Sequence, residues 1–343
     1  MTSSQPHMPR LALAVACLCA LVPTALAQRF AFVSTRAPEA QAGAFDRPWQ
    51  SEVYFYRDGT EQRLTATPHA SEYDPAPSPG GRFVAFVAHD HSHEADGWDA
   101  WGWYLAVVET LTGREVARWD LPRTVGMTRP AGGFQTAWVG DAAVLAQVPA
   151  ATGDWEVHAF DLGSGAARRV TDGYGAVVAS GGARLATSRA DGVHVVDLAG
   201  GSETRAFAGA GMPLAWWRDG LFVATESGLL LVDVATGANE TVVAAALVTE
   251  LRVDPSGERY AYVRLHPAGA GSDVVVVEGG VEVPVWRLDG WVTGLDWLEP
   301  GLMAFAVTEP GGDVYVQVSD LLGGGFRVAS AGEDHGPRGV PRP

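Results

Sequence analysis

Three histidines at alternate positions, His89, His91 and His93, followed by Glu94, Asp96 and Asp99, form the stretch of this sequence best equipped for chemistry. Alternate residues of an extended strand project to the same side, so the three imidazoles would converge if the strand reaching Ala88 runs on. Asp96, ahead of Glu94 or Asp99, is the carboxylate that would complete the set. Imidazole with carboxylate suits zinc, nickel or manganese, so the cofactor implied is a divalent cation. Imidazole must be deprotonated to bind, so affinity should fall below a pH of about 6. The competing reading is a solvated loop, because spacing alone sets neither ligand number nor geometry.

Aromatic and charged residues lie close to that stretch in sequence. Trp98 and Trp101 suit stacking on a sugar ring or a peptide, and Trp49 offers a further platform. Trp103 stands at a strand entry, where packing is the expected role. Segment 35–51 adds Arg36, Asp46 and Arg47, and segment 122–134 adds Arg129. The expected binding residues are thus Arg36, Asp46, Arg47, Trp49, Trp98, Trp101 and Arg129, with His89, His91, His93 and Asp96 as metal ligands.

Several function classes lack their residues. Lysine is absent from the whole chain, which excludes a P-loop, a Schiff base and a Ser-Lys dyad. No G-x-S-x-G elbow, H-E-x-x-H helix or G-x-G-x-x-G turn occurs. Ser164 lies between glycines, where turn formation accounts for it. The formal net charge of −16, with no basic run, makes nucleic acid and anionic lipid poor partners.

Met8-Pro9-Arg10, the apolar run Leu11–Leu21 and Ala25-Leu26-Ala27 follow the order of a secretory signal peptide. The run is too short to span a bilayer as a helix. Cleavage after Ala27 would leave residues 28–343 as the mature chain, bound for the periplasm or the exterior. A lipoprotein signal ending at Cys17 is the rival reading. Both cysteines, Cys17 and Cys19, lie inside this segment, so the mature chain would hold neither disulfide nor thiolate chemistry.

What must position these residues is a set of strands. Period-2 apolar runs bounded by glycine turns recur along residues 28–343, with almost no helical pattern. They fall into seven sets at a spacing of about 45 residues, that of a four-stranded propeller blade. Six sets are preceded by a short extra strand, as at Tyr73–Ser78 and Thr293–Trp297, and the first set is not. The tail supplies the candidate, since Glu333-Asp334-His335-Gly336-Pro337 echoes Glu72-Tyr73-Asp74-Pro75. The expectation is an all-β, single-domain propeller of seven blades, six being the alternative count. The tail from Glu333 to Pro341 would pair beside Arg29–Ser34 and remove both open edges.

Tyr73-Asp74-Pro75-Ala76-Pro77-Ser78-Pro79-Gly80-Gly81-Arg82-Phe83-Val84-Ala85-Phe86-Val87 resembles the repeat of TolB-like, WD-related propellers. Val253-Asp254-Pro255-Ser256-Gly257-Glu258-Arg259-Tyr260-Ala261-Tyr262-Val263 matches its turn and strand. The motif is clear in these two blades and faint in the other five, and the extra N-terminal α/β domain of TolB has no counterpart. The resemblance implies an envelope or secreted binding or scaffold module, and it admits metal-dependent lyases with histidine ligands.

Two functions follow from different classes. The first is a non-catalytic, monomeric binding module for a protein or glycan, using loops 35–51, 89–102 and 122–134 on one rim. The second is a metal-dependent polysaccharide lyase or hydrolase using loop 89–99. A lyase would want histidines spread over several blades, whereas His89, His91 and His93 sit together, and His158, His194 and His266 lie elsewhere.

Overall fold

The computed structural model describes residues 29–34, 51–67, 69–90, 102–122, 135–150, 154–244, 246–266, 271–311, 314–321 and 324–328, with 334–339 as backbone. These residues hold strands and turns and no helix, so none among them is long and apolar enough to cross a membrane.

Seven antiparallel sheets of four strands make seven blades, each with strands a to d in order. Blade 1 takes β1 (Arg29–Ser34), β2 (Glu52–Arg57) and β3 (Thr60–Arg63) as b, c and d. Blade 2 is β4 (Ala70–Pro77), β5 (Phe83–Asp90), β6 (Gly102–Glu109) and β7 (Glu115–Asp120). Blade 3 is β8 (Ala137–Val139), β9 (Ala143–Pro149), β10 (Trp155–Asp161) and β11 (Ala167–Asp172). Blade 4 is β12 (Tyr174–Val178), β13 (Arg184–Arg189), β14 (Gly192–Asp197) and β15 (Glu203–Ala208). Blade 5 is β16 (Met212–Trp217), β17 (Gly220–Thr225), β18 (Gly228–Asp233) and β19 (Asn239–Ala244). Blade 6 is β20 (Val248–Val253), β21 (Arg259–Leu265), β22 (Ser272–Glu278) and β23 (Val281–Leu288). Blade 7 is β24 (Trp291–Glu299), β25 (Leu302–Thr308), β26 (Val314–Asp320) and β27 (Gly325–Arg327).

The missing a-strand of blade 1 is β28 (Asp334–Gly339), antiparallel to β1 with Phe30 opposite Gly339 and Ser34 opposite Asp334. The tail echo is structural. In β28 the register skips between His335 and Arg338, as it does in β4 between Tyr73 and Ala76, so Pro337 and Pro75 occupy equivalent bulges. A bulge leaves a residue out of the ladder, which accommodates a proline that has no N–H to give. The a-strands neighbour one another in a full circle, from β28 through β4, β8, β12, β16, β20 and β24 back to β28.

Alternation along each strand feeds two cores. In β5, Val84, Phe86 and Ala88 pack toward blade 1, while Ala85 and Val87 pack toward blade 3. Repeated round the ring, this yields seven apolar layers, one per joint. The layer at the chain-end seam is no weaker in kind. Phe30, Phe32, Tyr54 and Tyr56 stack there against Leu298, Ala304, Val316 and Val318.

Three joints are also riveted by indoles. Trp138, Trp216 and Trp297 on the a-strands of blades 3, 5 and 7 donate Nε1–H to the carbonyls of Ala76, Val177 and Arg252 at 2.7, 3.0 and 3.1 Å. Each acceptor lies on the a-strand of the preceding blade and opposite a fully buried alanine: Ala85, Ala186 or Ala261. The first residue of the same b-strand covers the ring, as Phe83, Arg184 or Arg259. The three tryptophans thus pack between blades.

Candidate functional site

The a–b and c–d turns share one face, and those among the described residues are tight. The b–c and d–a connections share the other, and there the long segments 35–50, 91–101 and 123–134 belong to blades 1, 2 and the step into 3. Arg36, Asp46, Arg47, Trp49, His91, His93, Asp96, Trp98, Trp101 and Arg129 lie outside the described residues. His89 lies inside them, because β5 continues to Asp90. Its imidazole stacks on Trp103 with ring centroids 4.3 Å apart and planes 8° from parallel. Trp103 is buried and leans on Tyr73, the packing role expected of it.

At the start of β2 and on the adjoining β4 sits a pair of buried carboxyls, Glu52 and Glu72, which sequence reasoning missed. Glu52 opens β2 and is fully engaged: Arg63 Nη2 at 2.9 Å, Thr65 Oγ1 at 2.6 Å and the Thr67 amide at 3.0 Å all donate to it. Glu72, on β4, receives the Thr67 hydroxyl on Oε1, while its Oε2 is buried without a hydrogen-bond partner. Burial, and then the nearby charge of Glu52, push the Glu72 carboxyl well above the usual carboxylate range. Both causes favour the neutral form of Glu72.

Three further histidines, His158, His194 and His266, are held by carboxylates of their own blades. His158 Nε2 is 2.8 Å from Glu156, and His194 lies between Glu203 at 3.0 Å and Asp191 at 2.9 Å. His266 contacts Asp273 at 2.8 Å, an aspartate 2 % exposed that also accepts from Arg264 and Arg287, each at 3.2 Å. Burial alone would raise the Asp273 pKa, but these hydrogen bonds hold it below its ordinary value. Glu203 is likewise lowered, mainly by the hydrogen bond from Arg189. Among the described residues no group of three or more histidine and carboxylate side chains converges to hold a metal ion.

Blades 4 to 7 contribute a different feature to this face. Their a-strands begin at the mouth of the central channel with Tyr174, Met212, Leu247 just before β20, and Trp291. Tyr174 is 40 % exposed, Leu247 61 % and Trp291 43 %. The first two starts adjoin, since a Cβ at Gly175 would lie 3.2 Å from Met212 Cγ. Glycines aim these side chains. Gly173 has φ +117, and a Cβ there would stand 2.5 Å from the Ser188 carbonyl. At Gly290 a Cβ would stand 2.1 Å from the Thr308 carbonyl. Only glycine lets the d–a crossover pass so close to the b-strand end. The b–c connections of blades 4 and 5 are tight turns and leave these residues uncovered. The signal in the sequence is a glycine before an aromatic at the a-strand start.

No protein-family model matches the chain, and no curated protein sequence does. Solved structures match well. TolB from Acinetobacter baumannii shares 15 % identity at a TM-score of 0.52, over 91 % of this chain and 66 % of that one. The chain has the propeller fold of TolB. It spans just under two thirds of that protein's length. The β-propeller domain of the Trilobed protease from Pyrococcus furiosus, described as having an open velcro topology, matches at 9 % identity and a TM-score of 0.63 over 88 % and 95 % of the two chains. Oligogalacturonate lyase in complex with manganese matches at 15 % identity and a TM-score of 0.57 over 89 % and 86 %. The present ring differs from an open velcro in that its two chain ends pair within blade 1.

Proposed function

We propose that this protein is an exported, non-catalytic binding module of the bacterial envelope, engaging a protein partner on the face formed by the b–c and d–a connections. The observation that carries the reading is the exposure of Tyr174, Leu247 and Trp291 at the channel mouth, with half-buried Met212 between the first two. Large exposed apolar side chains gathered on one rim mark a contact surface rather than a solvated one. The loops of blades 1 to 3, with Arg36, Asp46, Arg47, Trp49, Trp98, Trp101 and Arg129, would complete the contact from the other side. Likeness in fold to TolB supports a binding role by analogy, and residues 1–27 support export. A glycan on the same loops is the other partner class that Trp98 and Trp101 suit.

In-cell photo-crosslinking tests this. A benzophenone amino acid at position 247 or 291 should capture a discrete partner, and the same probe at 111 should not. Leu111 is 67 % exposed but sits in a c–d hairpin on the opposite face, so it controls for mere exposure. Equal capture from both faces, or none from 247 and 291, would refute the reading.

The fold likeness to a manganese-bound lyase favours a second reading, a metal-dependent lyase or hydrolase using His89, His91, His93 and Asp96. Against it stand His158, His194 and His266, each committed to a carboxylate of its own blade. Total metal analysis of protein purified without an affinity tag separates the two: a stoichiometric divalent metal would favour the enzyme.

A further inference from the structure

On the tight-turn face, blade 5 departs from the rest. Its a–b turn and the start of its d-strand border a groove of about 480 Å³, lined by Trp217, Arg218, Asp219, Leu231, Asn239 and Glu240 among others. Trp216 points into the joint and satisfies its indole on Val177. Trp217, the next residue, meets Phe222 and Tyr260 edge-on and borders the groove.

Two backbone details show that the groove is shaped. Arg218 has φ +54, a left-handed conformation that a residue with a Cβ adopts only at a cost. The corresponding turn position in blade 3 is Gly140, at φ +58. Blade 5 therefore bears a strain that glycine would relieve, and in return holds an exposed guanidinium 5.7 Å from the Trp217 ring. Such outliers gather at binding sites. Second, a Cβ at Gly220 would stand 2.9 Å from Leu231 Cδ1, so the glycine leaves room for Leu231 on the groove wall.

We infer that this groove is a binding site for a neutral, hexose-based saccharide, on the face opposite the proposed partner surface. The chemistry selects this class by elimination. Asp219, Asp233 and Glu240 outnumber Arg218 among the lining residues, which disfavours an anion. Arg218 already lies over the indole, which disfavours a cation seeking the ring. A sugar has an apolar face for Trp217 and Leu231. Its hydroxyls both donate and accept, matching carboxylates, the Asn239 amide and a guanidinium at once. The volume falls within the range of small-molecule sites.

The full mature protein would be titrated with maltose, cellobiose and N,N′-diacetylchitobiose, read by tryptophan fluorescence and saturation-transfer NMR. At least one should bind saturably with a Kd below about 10 mM. Arg218→Gly relieves the turn, so it should keep or raise the melting temperature while weakening binding about tenfold or more. Asn239→Ala, on an exposed strand end, should weaken binding likewise without loss of fold. The inference is overturned if none of the three saccharides saturates, if both variants bind as the wild type does, or if tetramethylammonium saturates the site and the saccharides do not.

Discussion

Replacing Glu72 by glutamine separates the shape of the buried carboxyl pair from its proton. Glu72 faces Glu52, which Arg63 and two threonines already satisfy, and the Tyr104 phenol, whose own pKa is raised by burial and by Glu72. In the unfolded chain the Glu72 carboxyl titrates near its ordinary 4.5, and in the folded chain well above it. Between those two values the native state binds the extra proton, so wild-type stability must fall as pH rises through that window. The slope approaches about 1.4 kcal/mol per pH unit for one proton. Below 4.5 the stabilising proton is bound in both states, and above the folded-state value the loss is complete. Glutamine keeps an acceptor for Thr67 and has no proton to lose. Urea unfolding of both proteins, followed by tryptophan fluorescence from pH 5 to 8, should show the variant gaining on the wild type as pH rises. Parallel stability curves would refute the reasoning. So would a uniform loss of about 3 kcal/mol or more in the variant, which would mean that an ionised Glu72 carboxylate is needed.

Removing residues 333–343 should lower the melting temperature clearly and promote self-association, because it exposes one edge of β1; an unchanged melting temperature by calorimetry would contradict the closure role of β28. Trp216→Phe keeps the ring but leaves the Val177 carbonyl without its indole, and chemical denaturation should register a loss of about 1–3 kcal/mol. Asp273→Asn weakens the hydrogen bonds from His266, Arg264 and Arg287 while leaving Arg264 its partner Glu282, and should cost about 1–3 kcal/mol at neutral pH. The wild-type contribution of Asp273 should itself fade as pH drops below 3.8, its ordinary value, so the two proteins should converge in acid. Calorimetric titration with zinc, nickel and manganese, repeated with the variant carrying alanine at 89, 91 and 93, checks the histidine stretch; binding that weakens below a pH of about 6 and vanishes in the variant is the expected result.

Much of the architecture could be read in advance because it is written locally. Hairpin glycines such as Thr112-Gly113 and Thr236-Gly237 mark each c–d turn, period-2 runs mark each strand, and Pro75 and Pro337 announce equivalent bulges. The seven blades and the tail closure follow from these. Strand bounds moved by a few residues, as where Tyr73–Ser78 became Ala70–Pro77, because ladder ends depend on a partner strand. Contacts between blades were harder. Glu52 and Glu72 belong to different blades, and nothing in their local surroundings says that they meet. The carbonyls that receive Trp138, Trp216 and Trp297 belong to the neighbouring blade and are visible only in the ring. Trp217 was hidden by its neighbour: two adjacent tryptophans look like one core signal until alternation sends one outward. The mouth residues were passed over because a lone Tyr174 or Trp291 is ordinary until its neighbours on the ring stand beside it.

Seven is an odd number, and the indole rivets count in twos. They join blade 2 to 3, 4 to 5 and 6 to 7, which leaves blade 1, the one sewn from both chain ends, without a place in the alternation. Other bonds follow the same beat: Thr136 donates to the Asp74 carbonyl, Ser188 to that of Gly211 and Ser272 to that of Gly290. The joints in between are crossed by other bonds, Ser51 to the Glu72 carbonyl and the Gly175 amide to Gln147, so the doublet is the unit of the indole bonds alone. A chain cut after blade 3 or 5 would keep its doublets whole. One cut after blade 4 or 6 would strand a carbonyl, at Val177 or Arg252, that was built to receive an indole.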